Sequence, residues 1–434
     1  MTRQLVELVA LLVLAGGFGL VVLLVALRPA VGAWLGCGGL VITLALRQPL
    51  LPDSLTLAGI SIQPLDVVAV VLGSAGALRL SRRSFHARLH LPIVLLLMLL
   101  VIHVARGVST FGFQVAVNGA RSWIWFVSAL MFGATVMWSP SLERAVVWSS
   151  LLLSAFAFWG LAHSGLHSTT QLVVVNGEAV DPRPVTAAGA LVILQGLIIF
   201  THGSRIPVLR TPWVALIPAA AAILLEHRTI WVAGFFAGIV IHRAWSRRTL
   251  RRDPRRAYFV TGILILVLPL VLAGVAGSAS LAGSISETTA QHSTFQWRVA
   301  SWSSLIREHH SPEDLVFGLP AGSSWERPLF GGQALASPHS YYVEALMRFG
   351  APGLLLFLTL FMLSIRRAQR YRGGDQMRVI FITVLLTQVV FAFTNQLSIV
   401  QGLALGALLA RLVQDSAAER REVRLPSQAA AGVA

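Results

Sequence analysis

Histidine and arginine are the side chains through which this sequence could do chemistry. His339 stands in Ser337-Pro338-His339-Ser340-Tyr341-Tyr342. Ser337 suits an N-cap and Pro338 a first helical position, which places His339 in the first turn of a helix that Gly350 and Pro352 would stop. Unpaired N–H groups and the helix dipole favour an anion there and disfavour imidazolium. A neutral imidazole beside an anion site can take a proton from a hydroxyl. The competing reading is an interfacial histidine bonded only to backbone.

Four arginines supply the candidate anion partners. Glu226-His227-Arg228 lies between the apolar runs 213–225 and 229–241, with no room for a true loop, so these side chains fall at the membrane edge. Ionisable groups at that depth are costly and face a cavity or a partner. Arg228 either pairs with Glu226 or faces a site. Arg183, in Asp181-Pro182-Arg183-Pro184, could clamp a phosphate with two parallel hydrogen bonds or be a solvated loop charge. The same alternatives hold for Arg298, and the spacing of Trp297, Val299, Ala300, Leu305 and Ile306 predicts an amphipathic helix lying on the bilayer. Arg121 sits inside the apolar run 115–136 and needs a partner; a structural and a cavity-lining role both fit.

Acids are scarce. The 18 acidic residues form no Asp-x-Asp pair in the loops on the histidine's side, and the adjacent His309 and His310 cannot share one helical face. No metal site, phosphate loop or dinucleotide glycine pattern follows from this, so no cofactor is expected. Arginine and histidine without nucleotide or metal suit a donor that already carries its leaving group, as a lipid diphosphate in the same membrane does.

The elements that position these residues are membrane helices. Hydrophobic residues make up 56% of the 434 and charged ones 12%, and runs such as 5–27, 146–162 and 257–276 match or approach the ~18 apolar residues of a span. In hydrocarbon, backbone groups must bond internally, which gives a helical bundle. The net charge of +16 comes from arginines in short loops, as the positive-inside rule expects, and calls for no nucleic-acid partner. Cys37 is the one cysteine, so no disulfide framework exists. The run 5–27 reads as a retained span rather than a cleaved signal peptide.

Basic loops at 79–88, 205–210, 242–256 and 366–378, and a frayed tail from Arg411, mark the cytoplasmic side. Loops at 103–112, 163–184, 226–228, 277–339 and 394–396 then lie opposite. The total is twelve or thirteen spans, with three N-terminal spans or two and an interfacial segment. The chain divides into an N-terminal bundle (1–276), an extracytoplasmic catalytic loop (277–349) between the tenth and eleventh spans, C-terminal helices (350–413) and a cytoplasmic tail (414–434).

The block from Pro338-His339-Ser340-Tyr341-Tyr342 to Phe349-Gly350-Ala351-Pro352-Gly353-Leu354 resembles the His-Asn/Ser…Leu-Gly-x-x-Gly-Leu signature of the O-antigen ligase and O-antigen polymerase superfamily. Trp297-Arg298…Trp302 and Phe317-Gly318-Leu319-Pro320-Ala321-Gly322 are similar to that family's lead-in, with Leu319-Pro320 interrupting its glycines. His227-Arg228-Thr229 falls where the family has Ser-Arg-Gly/Thr, with His227 replacing a small residue. The resemblance covers residues 181–360 and implies a GT-C-like membrane glycosyltransferase, metal-independent, in a bacterial inner membrane with its site on the extracytoplasmic face. It implies transfer of a glycan from undecaprenyl diphosphate to a hydroxyl of a glycan or glycolipid. His339 would be the base, and Arg183 and Arg228 would hold the diphosphate. Arg298, Tyr342, Arg121 and His227 would contact substrate. Polymerisation of surface-polysaccharide repeats is the first reading and ligation to lipid A–core the second, with a chain-length regulator or flippase as partner proteins. A lipid-linked oligosaccharide transporter is the more distant reading; the internal repeats of that class are not found.

Overall fold

The computed structural model describes residues 16–46, 55–57, 60–82, 87–164, 173–175, 178–180, 184–203, 212–225, 227–246, 294–308, 311–323, 326–329, 332–335 and 338–431. The run 257–276, Arg183, Glu226, His309 and His310 lie outside them.

The chain is an all-α polytopic membrane protein. Its helices are α1 (Gly16–Leu27), α2 (Pro29–Leu46), α3 (Pro64–Ser81), α4 (Ala87–Phe111), α5 (Phe113–Ala134), α6 (Pro140–Ser164), α7 (Ala187–Gly203), α8 (Leu216–Leu224) and α9 (Arg228–Ser246). Then follow α10 (Thr294–Glu308), α11 (Pro312–Phe317), α12 (Tyr341–Gln369), α13 (Asp375–Ala392) and α14 (Ile399–Ala431). Three short antiparallel hairpins interrupt them, at Leu55–Leu57 with Ile60–Ile62, Val173–Val175 with Glu178–Val180, and Glu326–Leu329 with Gly332–Leu335.

Among the described residues six helices are long and apolar enough to cross a membrane: α3, α4, α5, α6, α12 and α13. The α1–α2 pair, bent by 114°, makes a seventh if it is one span. With nine residues, α8 rises about 14 Å, so the apolar run at 213–225 does not cross a ~30 Å hydrocarbon core by itself.

The buried axis of the bundle is α5, and it meets α14 at backbone distance. A Cβ on Gly402 or Gly406 would overlap the carbonyls of Phe126 and Leu130, and one on Gly133 that of Leu403. This is the small-xxx-small packing that stands in for the hydrophobic effect between membrane helices. Farther along α5, Trp123 stacks on Tyr341 with ring centroids 4.0 Å apart and 6° between planes. Phe126, Phe349 and Phe357 pack edge-on around that pair. The start of α12, one residue past Ser340, is thereby locked to α5.

The bundle has two distinct ends. At one, Arg79 at the foot of α3 donates to Ala26 O (2.5 Å) and to the carbonyl and hydroxyl of Thr135 (3.1 Å each). Trp138 packs on Phe381, and Tyr371 packs on the same ring. At the other end lie the α4–α5 corner, the starts of α7, α9 and α12, and the α13–α14 turn.

Two expectations change. The tail from Arg411 is helical, since α14 runs through Ala431. The apolar spacing in α10 does form a helix, but its buried face is Ser301, Trp302 and Leu305, while Val299 and Ile306 stay exposed. That buried face is turned toward protein, because Trp302 finds both a carbonyl acceptor and an aromatic neighbour there.

Candidate active site

The second end is shaped by an interlock between α11 and a kink in α12. Gly350 (φ 67°, ψ −170°) breaks α12 internally, and Gly318 (φ 68°, ψ 176°) ends α11. Both sit in a region of backbone space that is nearly exclusive to glycine. A Cβ on Gly318 would overlap the Arg348 carbonyl, and one on Gly350 the Val316 carbonyl. Leu319 N donates to Met347 O (2.7 Å) and Ala321 N to His103 O (3.2 Å). Arg106 Nη1 donates to the carbonyls of Phe317 (3.0 Å) and Gly318 (2.9 Å). The segment Phe317–Gly322 therefore acts as a wedge, and Leu319-Pro320 fits between its glycines without disturbing their contacts.

Above the wedge, α12 begins at Tyr341, with Ser340 as the N-cap whose hydroxyl accepts from Val343 N (3.4 Å). The expected cap at Ser337 is thus displaced by three residues, and His339 stands just outside the helix rather than in its first turn. His339 has φ 51°, the one positive φ outside glycine among the described residues. Left-handed backbone costs an L-residue about 1–2 kcal/mol, so the surroundings must hold it. One such hold is Trp302 Nε1, which donates to Pro338 O at 2.6 Å.

Arg298 reaches the α13–α14 turn. Arg298 Nη1 donates to Thr394 O (3.4 Å). The Thr394 hydroxyl meets that of Thr229 (2.5 Å) and accepts from Asn395 Nδ2 (3.0 Å). Thr229 follows Arg228, the first residue of α9. A helix N-terminus and a guanidinium both attract an anion. Arg298 and Trp302 are four residues apart on α10, so one helical face holds both the turn and the backbone beside His339.

A buried acid completes the frame. Glu344 is 0% exposed and takes hydrogen bonds from Arg348 Nε (2.8 Å), Gln396 Nε2 (2.6 Å) and Ser122 Oγ (3.5 Å).

The remaining candidates have other placements. His227 is 5% exposed and its Nε2 lies 3.0 Å from Val185 O. A carbonyl only accepts, so Nε2 carries the hydrogen. That bond fastens the start of α9 to the strand of chain leading into α7. Tyr342 donates its hydroxyl to Val389 O (3.0 Å) on α13. Arg121 finds the partner its burial demands: its Nε lies 3.1 Å from Asp66 Oδ1, an ion pair off the N–H axis, and its Nη2 donates to Ser61 O (2.6 Å). Asp66 also accepts from Trp125 Nε1 (2.8 Å). Arg121 is therefore spoken for at the Asp66 side of α5.

The fold thus links Arg298 to the neighbours of Arg228 and His339, to Thr229 through Thr394 and to Pro338 through Trp302, and sets Arg121 apart. Sequence reasoning missed Thr394, Gln396, Trp302 and Glu344 as members of the frame. The turn carries only neutral side chains between Phe393 and Ser398, and these form no motif. A site of this kind can hold a multiply charged anion between guanidiniums and a helix N-terminus, beside an imidazole able to move a proton. Residues 213–358, from the turn that precedes α8 into the second half of α12, match the family model described as O-antigen ligase. The match supports a role in glycosyl transfer of the ligase or polymerase type. No curated protein matches the chain.

Proposed function

We propose that this chain, a member of the O-antigen ligase and polymerase superfamily through its residues 213–358, transfers a glycan from a lipid diphosphate to a hydroxyl at the end of the bundle where His339, Arg228 and Arg298 gather. The observation that carries this reading is the single face of α10, which ties Arg298 to Thr394 O and, through Trp302, ties down the backbone next to His339. These two bonds support a reading in which anion-holding and proton-accepting groups act together.

In this reading His339 takes the proton of the acceptor hydroxyl as its oxygen bonds to the anomeric carbon. The bond from that carbon to the diphosphate oxygen breaks, and the electron pair leaves with the diphosphate. Arg228 and Arg298, with Arg183 from the preceding loop, receive that charge. Fixed cations aimed at developing charge in a water-poor site are the strongest single contribution available to such a reaction. The segment 277–349 serves as the catalytic loop over the bundles at 1–276 and 350–413, on the extracytoplasmic face of a bacterial inner membrane. Undecaprenyl diphosphate is the donor carrier, and a flippase or chain-length regulator would work alongside.

Polymerisation of repeat units is the first form of the reaction. Ligation to a separate glycolipid is the second. The deciding experiment incubates purified protein in detergent with a lipid-diphosphate-linked oligosaccharide, with His339→Ala alongside. A ladder from donor alone, lost in the variant, marks a polymerase. Transfer only after a glycolipid acceptor is added marks a ligase. Donor left intact under every condition defeats both.

A further inference from the structure

We infer that Glu344 and Gln396 are positioning residues: a buried strut that sets the distance between the α13–α14 turn, whose Thr394 carbonyl receives Arg298, and the helix that follows His339. The inference rests on the transferase reading above and names two residues that reading does not use.

Glu344 lies one turn into α12, five residues past His339, and is fully buried. Its pair with Arg348 is an (i, i+4) bridge inside one helix at 2.8 Å. Such a buried pair adds little net stability over well-packed apolar residues, so stability alone is a poor reason for a carboxylate at this depth. Its second oxygen has a different use. Glu344 Oε2 accepts from Gln396 Nε2 at 2.6 Å, across 52 residues of chain. That bond is charge-assisted, roughly twice as strong as a neutral one.

Gln396 lies two residues from Thr394, whose carbonyl receives Arg298 and whose hydroxyl meets Thr229 beside Arg228. Anything that lets residue 396 move away from α12 therefore lets both arginine anchors move away from His339. Arg348 orients the carboxylate from below, and Ser122 on α5 touches its first oxygen at 3.5 Å. The strut thus runs from the buried axis of the bundle, through Glu344, to the turn.

The test compares donor consumption, KM and melting temperature for Gln396→Ala, Gln396→Glu and the swap Glu344→Gln/Gln396→Glu, with His339→Ala and Arg298→Ala as references. Gln396→Ala leaves Glu344 bonded to Arg348, so the protein is expected to fold with a melting temperature near that of the parent. Its kcat is expected to fall between about tenfold and a hundredfold, the usual result of an ångström-scale misplacement, with KM little changed. Gln396→Glu sets two carboxylates against each other and loses at least as much. The swap restores a donor–acceptor pair with the charge moved to the turn and recovers most of the loss. Parental kcat in Gln396→Ala, with both references impaired, overturns the strut alone. A kcat loss that merely follows the melting temperature, with no recovery in the swap, reduces the pair to packing. Full activity in His339→Ala and Arg298→Ala overturns the transferase reading beneath it.

Discussion

Arg121 and Arg228 both interrupt apolar runs, and Arg121 has an ion-pair partner in Asp66. The side chains of Arg121 and Asp66 are 15% and 22% exposed. Truncating one leaves the other uncompensated, at a cost between the ~1 kcal/mol of an exposed pair and the roughly 3–5 kcal/mol of a buried one. Arg121→Leu is therefore expected to lower the melting temperature of the purified protein, and Asp66→Asn added to it, which removes the charge but keeps an acceptor for Trp125 Nε1, to recover part of the loss. Activity should track the folded fraction in both. If the double variant is no more stable than the single, the pair is not the reason Arg121 is there. Arg228 faces the opposite expectation, with lost turnover in a folded protein. That difference could not be read from residue type, since both arginines interrupt apolar runs. Asp66 and Arg121 are far apart in sequence, and only the packing of α3 on α5 brings them together. His339 was legible because its block of Pro, Ser and Gly neighbours is unusual. Thr394 and Gln396 were not, because a neutral side chain that supports a charged one leaves no trace in composition.

At the scale of elements, Gly112 at the α4–α5 corner, Gly318 and Gly350 are among the positive-φ glycines that frame the site end. Each would cost a substituted residue roughly 1–3 kcal/mol for its backbone alone. Gly112 has open space where a Cβ would go, whereas Gly318 and Gly350 are each pressed against the other segment's carbonyls. Gly112→Ala should therefore cost only the backbone term. Gly318→Ala and Gly350→Ala should cost clearly more, seen as lower melting temperatures and a larger share of aggregate in gel filtration. Equal costs for all three would mean that the wedge can slide away from α12 and does not fix its kink. The expected stop at Gly350 is a kink inside α12, legible as a break because Gly and Pro punctuate helices wherever they stand. The start was misplaced by one turn because Ser337 and Ser340 are equally good caps, and Pro338 favoured the earlier one. What decides between them is the stacking of Tyr341 on Trp123, a contact with no local signature.

For the whole molecule, charge and site separate by end. Arg79, Arg82, Arg366, Arg367, Arg370, Arg372 and Arg378 belong to the end opposite the candidate site, where the positive-inside rule puts the cytoplasm. That much was legible from hydropathy and arginine spacing alone, because each span must satisfy its own backbone and needs no long-range information. The orientation can be read with thiol chemistry, since Cys37, the chain's one cysteine, is fully buried. Ser109→Cys, exposed beside Arg106, reports on the site end; Ser81→Cys, exposed beside Arg82, reports on the arginine end. In intact cells a membrane-impermeant maleimide should label residue 109 and spare residue 81, and permeabilised cells should label both. The reverse pattern would place His339, Arg228 and Arg298 on the cytoplasmic side. A donor whose glycan has already been carried across the membrane could not then reach them, and the transferase would have to draw on lipid-linked sugars before translocation.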